Sequence, residues 1–157
     1  MSAFTDFLSA LDTKFESSSF VTDTDNIMFN ESRDLMSLGD DAYPRLETLI
    51  VKAKAGAYAS QRMLNWSLRY ATAGYIKRDS DDVVDSDVTN IVNFGVETFN
   101  LNMQMLDDKQ SGSITLPNFT MFGEFSEIFF DFELIPKYST FIYFGEAQFQ
   151  ISDTEVL

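Results

Sequence analysis

Cysteine and histidine are both missing from this sequence. Without cysteine there is no disulfide, no thiolate metal site and no thiol nucleophile, and the redox compartment is left open. Without histidine the commonest general base, the usual switch near neutral pH and the usual ligand of zinc or copper are gone. Any catalysis would have to rest on carboxylates, lysine, tyrosine or hydroxyls. Glycine is sparse as well, and the seven glycines, at 39, 56, 74, 95, 112, 123 and 145, form neither a dinucleotide fingerprint nor a phosphate-binding loop. Apolar runs long enough to span a bilayer, roughly 18 residues, are absent, and the N-terminal segment is amphipathic where an export signal would be basic and then apolar. A soluble, unexported chain is expected, so the glycosylation sequons at Asn30, Asn65 and Asn118 read as coincidence.

Basic residues are few. Eleven Lys and Arg stand against 25 Asp and Glu, a formal charge of −14, and they are scattered, the densest runs being Lys52/Lys54 and Lys77/Arg78. Such a surface repels nucleic acid and anionic lipid. What the chain has in quantity is phenylalanine: sixteen in 157 residues, nine of them beyond residue 115. At this length one domain spanning 1–157 is expected.

The pattern predicts α+β: two main helices packed on an antiparallel or mixed sheet of about four to five strands, with an extended loop or hairpin arm. Ser2 can cap a first helix with Phe4, Phe7, Leu8, Leu11 and Phe15 at helical spacing, ended by Ser17-Ser18-Ser19. A short strand is expected at Ile27–Phe29, then a polar loop with one helical turn at Ser32–Leu38, broken by Gly39-Asp40-Asp41. Tyr43-Pro44 opens a strand over Leu46–Ala55 that should stop at Gly56. The clearest strand follows, with Leu64, Trp66, Leu68, Tyr70, Thr72 and Ile76 on one face and Asn65, Ser67, Arg69, Ala71, Ala73 and Lys77 on the other, as in a half-exposed antiparallel strand. A second helix is expected to bury Val84, Val88, Ile91, Val92, Gly95, Phe99, Met103 and Leu106, and to end at Asp107–Gly112. Strands over Glu124–Ile135 and after Pro136 close the chain, and aromatics on both faces of each imply cover on both sides.

Each candidate site has a plainer reading beside it. Asp79, Asp81, Asp82, Asp85 and Asp87 are the densest group of oxygen ligands, but a calcium loop begun at Asp79 would have Val84 at the glycine position and Asn90 at the closing glutamate. Carboxylates leading into a helix are favoured by its dipole, so an acidic surface or lumen and a helix start are the preferred readings, with no metal. Glu127, Asp131 and Glu133 could supply a carboxylate pair for hydrolysis, but any acidic strand face looks the same. Ile128, Phe130, Phe132 and Leu134 read as core. Phe119, Met121, Phe122 and Phe125 lie in a segment punctuated by Ser111-Gly112, Pro117 and Gly123, which reads as an arm whose aromatics cover a neighbouring subunit; Phe129 joins this candidate interface.

The segment order, with Tyr43-Pro44-Arg45-Leu46-Glu47 opening one strand and Gly74-Tyr75-Ile76-Lys77-Arg78 ending the next, resembles the tail-terminator proteins of long-tailed bacteriophages across nearly the whole chain. The resemblance implies a non-catalytic virion protein without cofactor, assembled in the host cytoplasm. It implies a ring, usually hexameric, on the last ring of tail tube protein, stopping tube growth and presenting a surface to a neck or head-completion protein. DNA would pass without specific binding, and an acidic lumen would reduce its sticking. The loop between Ser17 and Asp41 and the aromatic arm depart from the family pattern. Other expectations compatible with these residues are a neighbouring neck or head–tail joining subunit, an acidic DNA-mimic inhibitor and a carboxylate hydrolase.

Overall fold

The computed structural model describes the backbone at residues 3–30, 38–58, 63–111, 119–120, 125–131 and 137–152, and the side chains at 6–30, 38–52, 68–105 and 137–146. Two α-helices pack on one mixed sheet, an α+β fold. Helix α1 spans Ala3–Phe15 and α2 spans Asp85–Ser111. The strands are β1 (Ile27–Phe29), β2 (Arg45–Tyr58), β3 (Met63–Lys77), β4 (Phe119–Thr120), β5 (Phe125–Asp131) and β6 (Tyr138–Ser152).

The sheet order is β1-β2-β3-β6-β4, with β5 also paired to β6, so β4 and β5 share that strand's outer edge one after the other. Strand β1 runs parallel to β2, and every other pairing is antiparallel. The backbone of β3 is paired on both sides from Met63 to Tyr75, to β2 and to β6. Gly56 does not end β2: it pairs with Asn65, and the strand continues to Tyr58. The pairing partner on β3 overrides the local preference of glycine.

One face of this sheet carries the core. Leu46 of β2, Leu68 and Tyr70 of β3, and Phe141 and Tyr143 of β6 form one buried cluster with Phe7, Leu11 and Phe15 of α1 and Ile91, Phe94, Leu101 and Met105 of α2. Phe94 meets Phe141 edge to face at 5.0 Å, and Phe7 tilts against Tyr70 at 5.4 Å, arrangements that add to simple area burial. Two polar pairs lie on this inner face: the Thr48 and Thr72 hydroxyls bond each other at 3.0 Å, and the Tyr70 hydroxyl donates to Asn102 Oδ1 at 2.6 Å. Burial pushes the phenols of Tyr70 and Tyr143 above their ordinary range.

The buried stripe of α2 matches the expected one in part. Ile91 and Gly95 are buried and Phe99 and Met103 pack against the core, but Val84 precedes the helix, Val88 is 39% exposed, and Phe94, Thr98, Leu101, Asn102 and Met105 are buried beside them; the Leu106 side chain lies outside the described residues. Two polar residues sit in that stripe with partners there: Thr98 Oγ1 donates back to the Phe94 carbonyl at 2.8 Å, and Asn102 Oδ1 accepts from Tyr70, while Asn102 Nδ2 has no partner among the described residues. An apolar count along the helix passes over such positions.

The crossing from α1 to β1 is pinned by side chains. Ser18 Oγ accepts from the backbone N–H of Phe20 and Val21, and Ser19 donates through both N–H and hydroxyl to the Glu97 carboxylate, each at 2.6 Å. At the far end of β1, Asn30 takes a positive φ of 56° and its Oδ1 accepts from Ile50 N–H, next to the register shift that leaves Val51 exposed. The turn expected at 32–38 lies outside the described residues except for Leu38, and Asp40–Ala42 forms one 3-10 turn. The Tyr43–Pro44 peptide bond is cis.

Two stability effects follow. Phe94→Ala should cost about 3–5 kcal/mol in denaturant unfolding, while Val88→Ala on the exposed side of α2 should stay within about 0.5 kcal/mol. Gly74→Ala would set a Cβ against the Phe141 and Phe94 rings, and a loss of about 1–3 kcal/mol is expected in the same measurement.

Candidate subunit interface

A sheet has two faces, and both helices lie on one of them. On the second face the strand register sets Leu49 beside Ala71, Ala71 beside Phe144, and Ala73 beside Ile142. Leu49, Ala73, Tyr75, Ile142 and Phe144 are half-buried there, and neither α-helix covers them. Small residues on the central strand β3 make this face shallow between the larger side chains of β2 and β6. At one end of the described side chains Arg69, midway along β3, lies 5.8 Å from the Phe144 ring centre and 3.6 Å from Glu146. This pair is exposed and contributes little to stability.

The other end is closed and charged inside. Arg45 and Glu47, neighbours on the second face of β2, form an ion pair at 2.6 Å with side chains only 4% and 5% exposed. Arg45 Nη2 has no hydrogen-bond partner. The Tyr43 and Tyr138 rings, 5.3 Å apart, close the same end, and burial together with the hydrogen bond to Tyr138 pushes the Tyr43 phenol above its ordinary range. Burying these two charges costs desolvation free energy that their mutual attraction only partly offsets.

The expected interface residues fall on the edge of the same sheet. The backbone of Phe119 pairs with Phe149 in β4, and in β5 Phe125 stands opposite Gly145 and Phe129 opposite Ile142. Phe125 thus opens β5 within the strand expected over Glu124–Ile135, while Phe119, expected in a loop or hairpin arm, lies in the two-residue β4 bonded to β6. Met121 and Phe122 lie outside the described residues, as does Glu133.

The expected acidic surface lies at the turn from β3 into α2. Asp79, Asp81, Asp82 and Asp85 are exposed, and Asp87 is half-buried. Asp87 Oδ2 accepts from Val84 N–H at 3.0 Å, closing the first turn of α2, so for Asp87 the helix-start reading has a direct geometric cause. Among the described residues no group of three or more acidic side chains is arranged to hold a metal ion. Among the described residues Asp12, on α1, has its carboxyl group raised above its usual range, by partial burial and then by Glu16. No helix of the described residues is long and apolar enough to cross a membrane.

Sequence spacing gave no sign that Lys137 would join Lys77 and Arg78 at one end of the sheet, because the contact spans some sixty residues: Arg78 Nη2 donates to the Tyr138 carbonyl. No protein-family model matches the chain, and no curated protein resembles it significantly.

The Arg45–Glu47 pair yields a paired test. Glu47→Gln, which leaves Arg45 buried without a counter-charge, should cost about 3–5 kcal/mol in urea unfolding, whereas the double change Arg45→Met with Glu47→Leu should be near neutral or stabilising.

Proposed function

We propose that this chain is a structural virion subunit of the tail-terminator kind, acting by self-assembly and not by catalysis. Its copies would form a ring, hexameric by the family resemblance, at the head-proximal end of a tail tube. The ring would stop tube growth and offer a surface to a neck protein. The observation that carries this reading is the second face of the sheet, where Leu49, Ala73, Tyr75, Ile142 and Phe144 stay half-buried with no α-helix over them. Apolar side chains ordered between strands, with neither described helix over them, are what an inter-subunit contact requires.

Composition supports the same reading. With no histidine or cysteine, a reaction centre has little to be built from. A strongly acidic ring would let a duplex pass without holding it. A heterologous contact that closes on itself makes a ring of fixed number, and that closure turns an adhesive subunit into a terminator.

Negative-stain microscopy and light scattering of the purified chain, alone and with tail tubes, test the proposal. Rings of constant diameter that cap tube ends are expected, and Ile142→Asp with Phe144→Asp should give a folded monomer without rings. A strict monomer that inhibits a nucleic-acid enzyme would instead support the DNA-mimic reading.

A further inference from the structure

The fold gathers cations that the sequence scatters. At one end of the sheet a pocket of about 380 Å³ is lined by Asp40, Tyr43, Lys77, Arg78, Asp79 and Lys137 among others. Three of the eleven basic residues of a chain with charge −14 therefore meet in one concavity.

Arg78 is the unusual member. Its residue is 5% exposed, yet among the described residues its guanidinium meets carbonyl oxygens and no carboxylate: Nη1 donates to Ser80 O and Asp81 O, Nη2 to Tyr138 O, and Nε has no partner. A desolvated cation offset by peptide dipoles alone is costly, and an anion brought into the pocket would relieve that cost. Lys77 already holds one carboxylate, that of Asp40, whose side chain is 86% exposed and is therefore easily displaced. Lys77 holds the Asp40 carboxyl below its usual range, and Lys137 adds to the effect. The pocket thus demonstrates its preference on a residue of its own chain.

A polyanion fits this place poorly. Asp79, Asp81 and Asp82 are exposed at the same turn, and repulsion over a Debye length, about 8–10 Å, opposes a phosphate backbone more than it opposes one carboxylate entering between the lysines. Copies of this chain carry 25 such groups. We infer that the pocket is a carboxylate-binding site that receives an Asp or Glu side chain of a neighbouring copy. The inference rests on the self-assembly reading and names a second contact for it, separate from the apolar sheet face.

The test uses the full chain as wild type, as Lys77→Gln with Lys137→Gln, and as the charge-keeping Lys77→Arg with Lys137→Arg, each checked for an unchanged Tm. Sedimentation velocity is run at low salt and at about 0.5 M salt, where exposed ion pairs are screened. The site predicts that the Gln variant self-associates roughly tenfold or more weakly, that the Arg variant keeps the wild-type mass, and that salt weakens the wild type but not the Gln variant. If the Gln variant assembles as wild type does, the carboxylate site is overturned and the ring reading stands. If the wild type stays monomeric under all conditions, both fall. If the two assemble alike but only the wild type binds fluorescein-labelled duplex DNA, the pocket takes phosphate and the assignment to a neighbouring copy is overturned.

Discussion

The long pairing of β3 with β6, Met63 to Lys77 against Ser152 to Tyr138, is what the rest of the molecule depends on. Two fifteen-residue strands in continuous register set Tyr70, Tyr143 and Phe141 in one row, and both helices are drawn to that row. Because the helices follow the aromatics to the same side, the opposite side of the same strands has no second layer from them. Its residues alternate with the core residues by the period of the strand, so neither face can be changed without shifting the other.

The second face is neither a solvent surface nor a core. Ala71 and Ala73 make it shallow along its centre line, the Arg45–Glu47 pair is buried at the start of β2, and an exposed Arg69–Glu146 pair lies midway along β3 and β6. The edge formed by β4 and β5 on β6 brings Phe119, Phe125 and Phe129 into the same sheet, so the candidate apolar face and the aromatic segment belong to one continuous structure.

Much of this was legible in the residues, and the failures share a cause. The spacing of Phe7, Leu11 and Phe15 located α1, and the alternation around Leu68, Tyr70 and Thr72 located β3, because one period dominated each segment. The continuation of β2 past Gly56 and the burial of Thr98 and Asn102 on α2 are not local signals, because pairing and packing partners decide both: Asn65 across the hairpin and Tyr70 under Asn102. The aspartates between 79 and 87 gave a helix start correctly at Asp87, through a bond to the adjacent Val84 N–H. The gathering of Lys77, Arg78 and Lys137 had no local signal, since it depends on the end of β3 meeting the start of β6.

The central claim is that the sheet face without a helix is covered by another copy of the chain. Hydroxyl-radical footprinting of the assembled and dissociated protein measures this side chain by side chain. Tyr75, Ile142 and Phe144 should be protected on assembly, while Val84 and Val88, exposed beside and on α2, should label equally in both forms. Equal labelling of Tyr75, Ile142 and Phe144 before and after assembly would contradict the account.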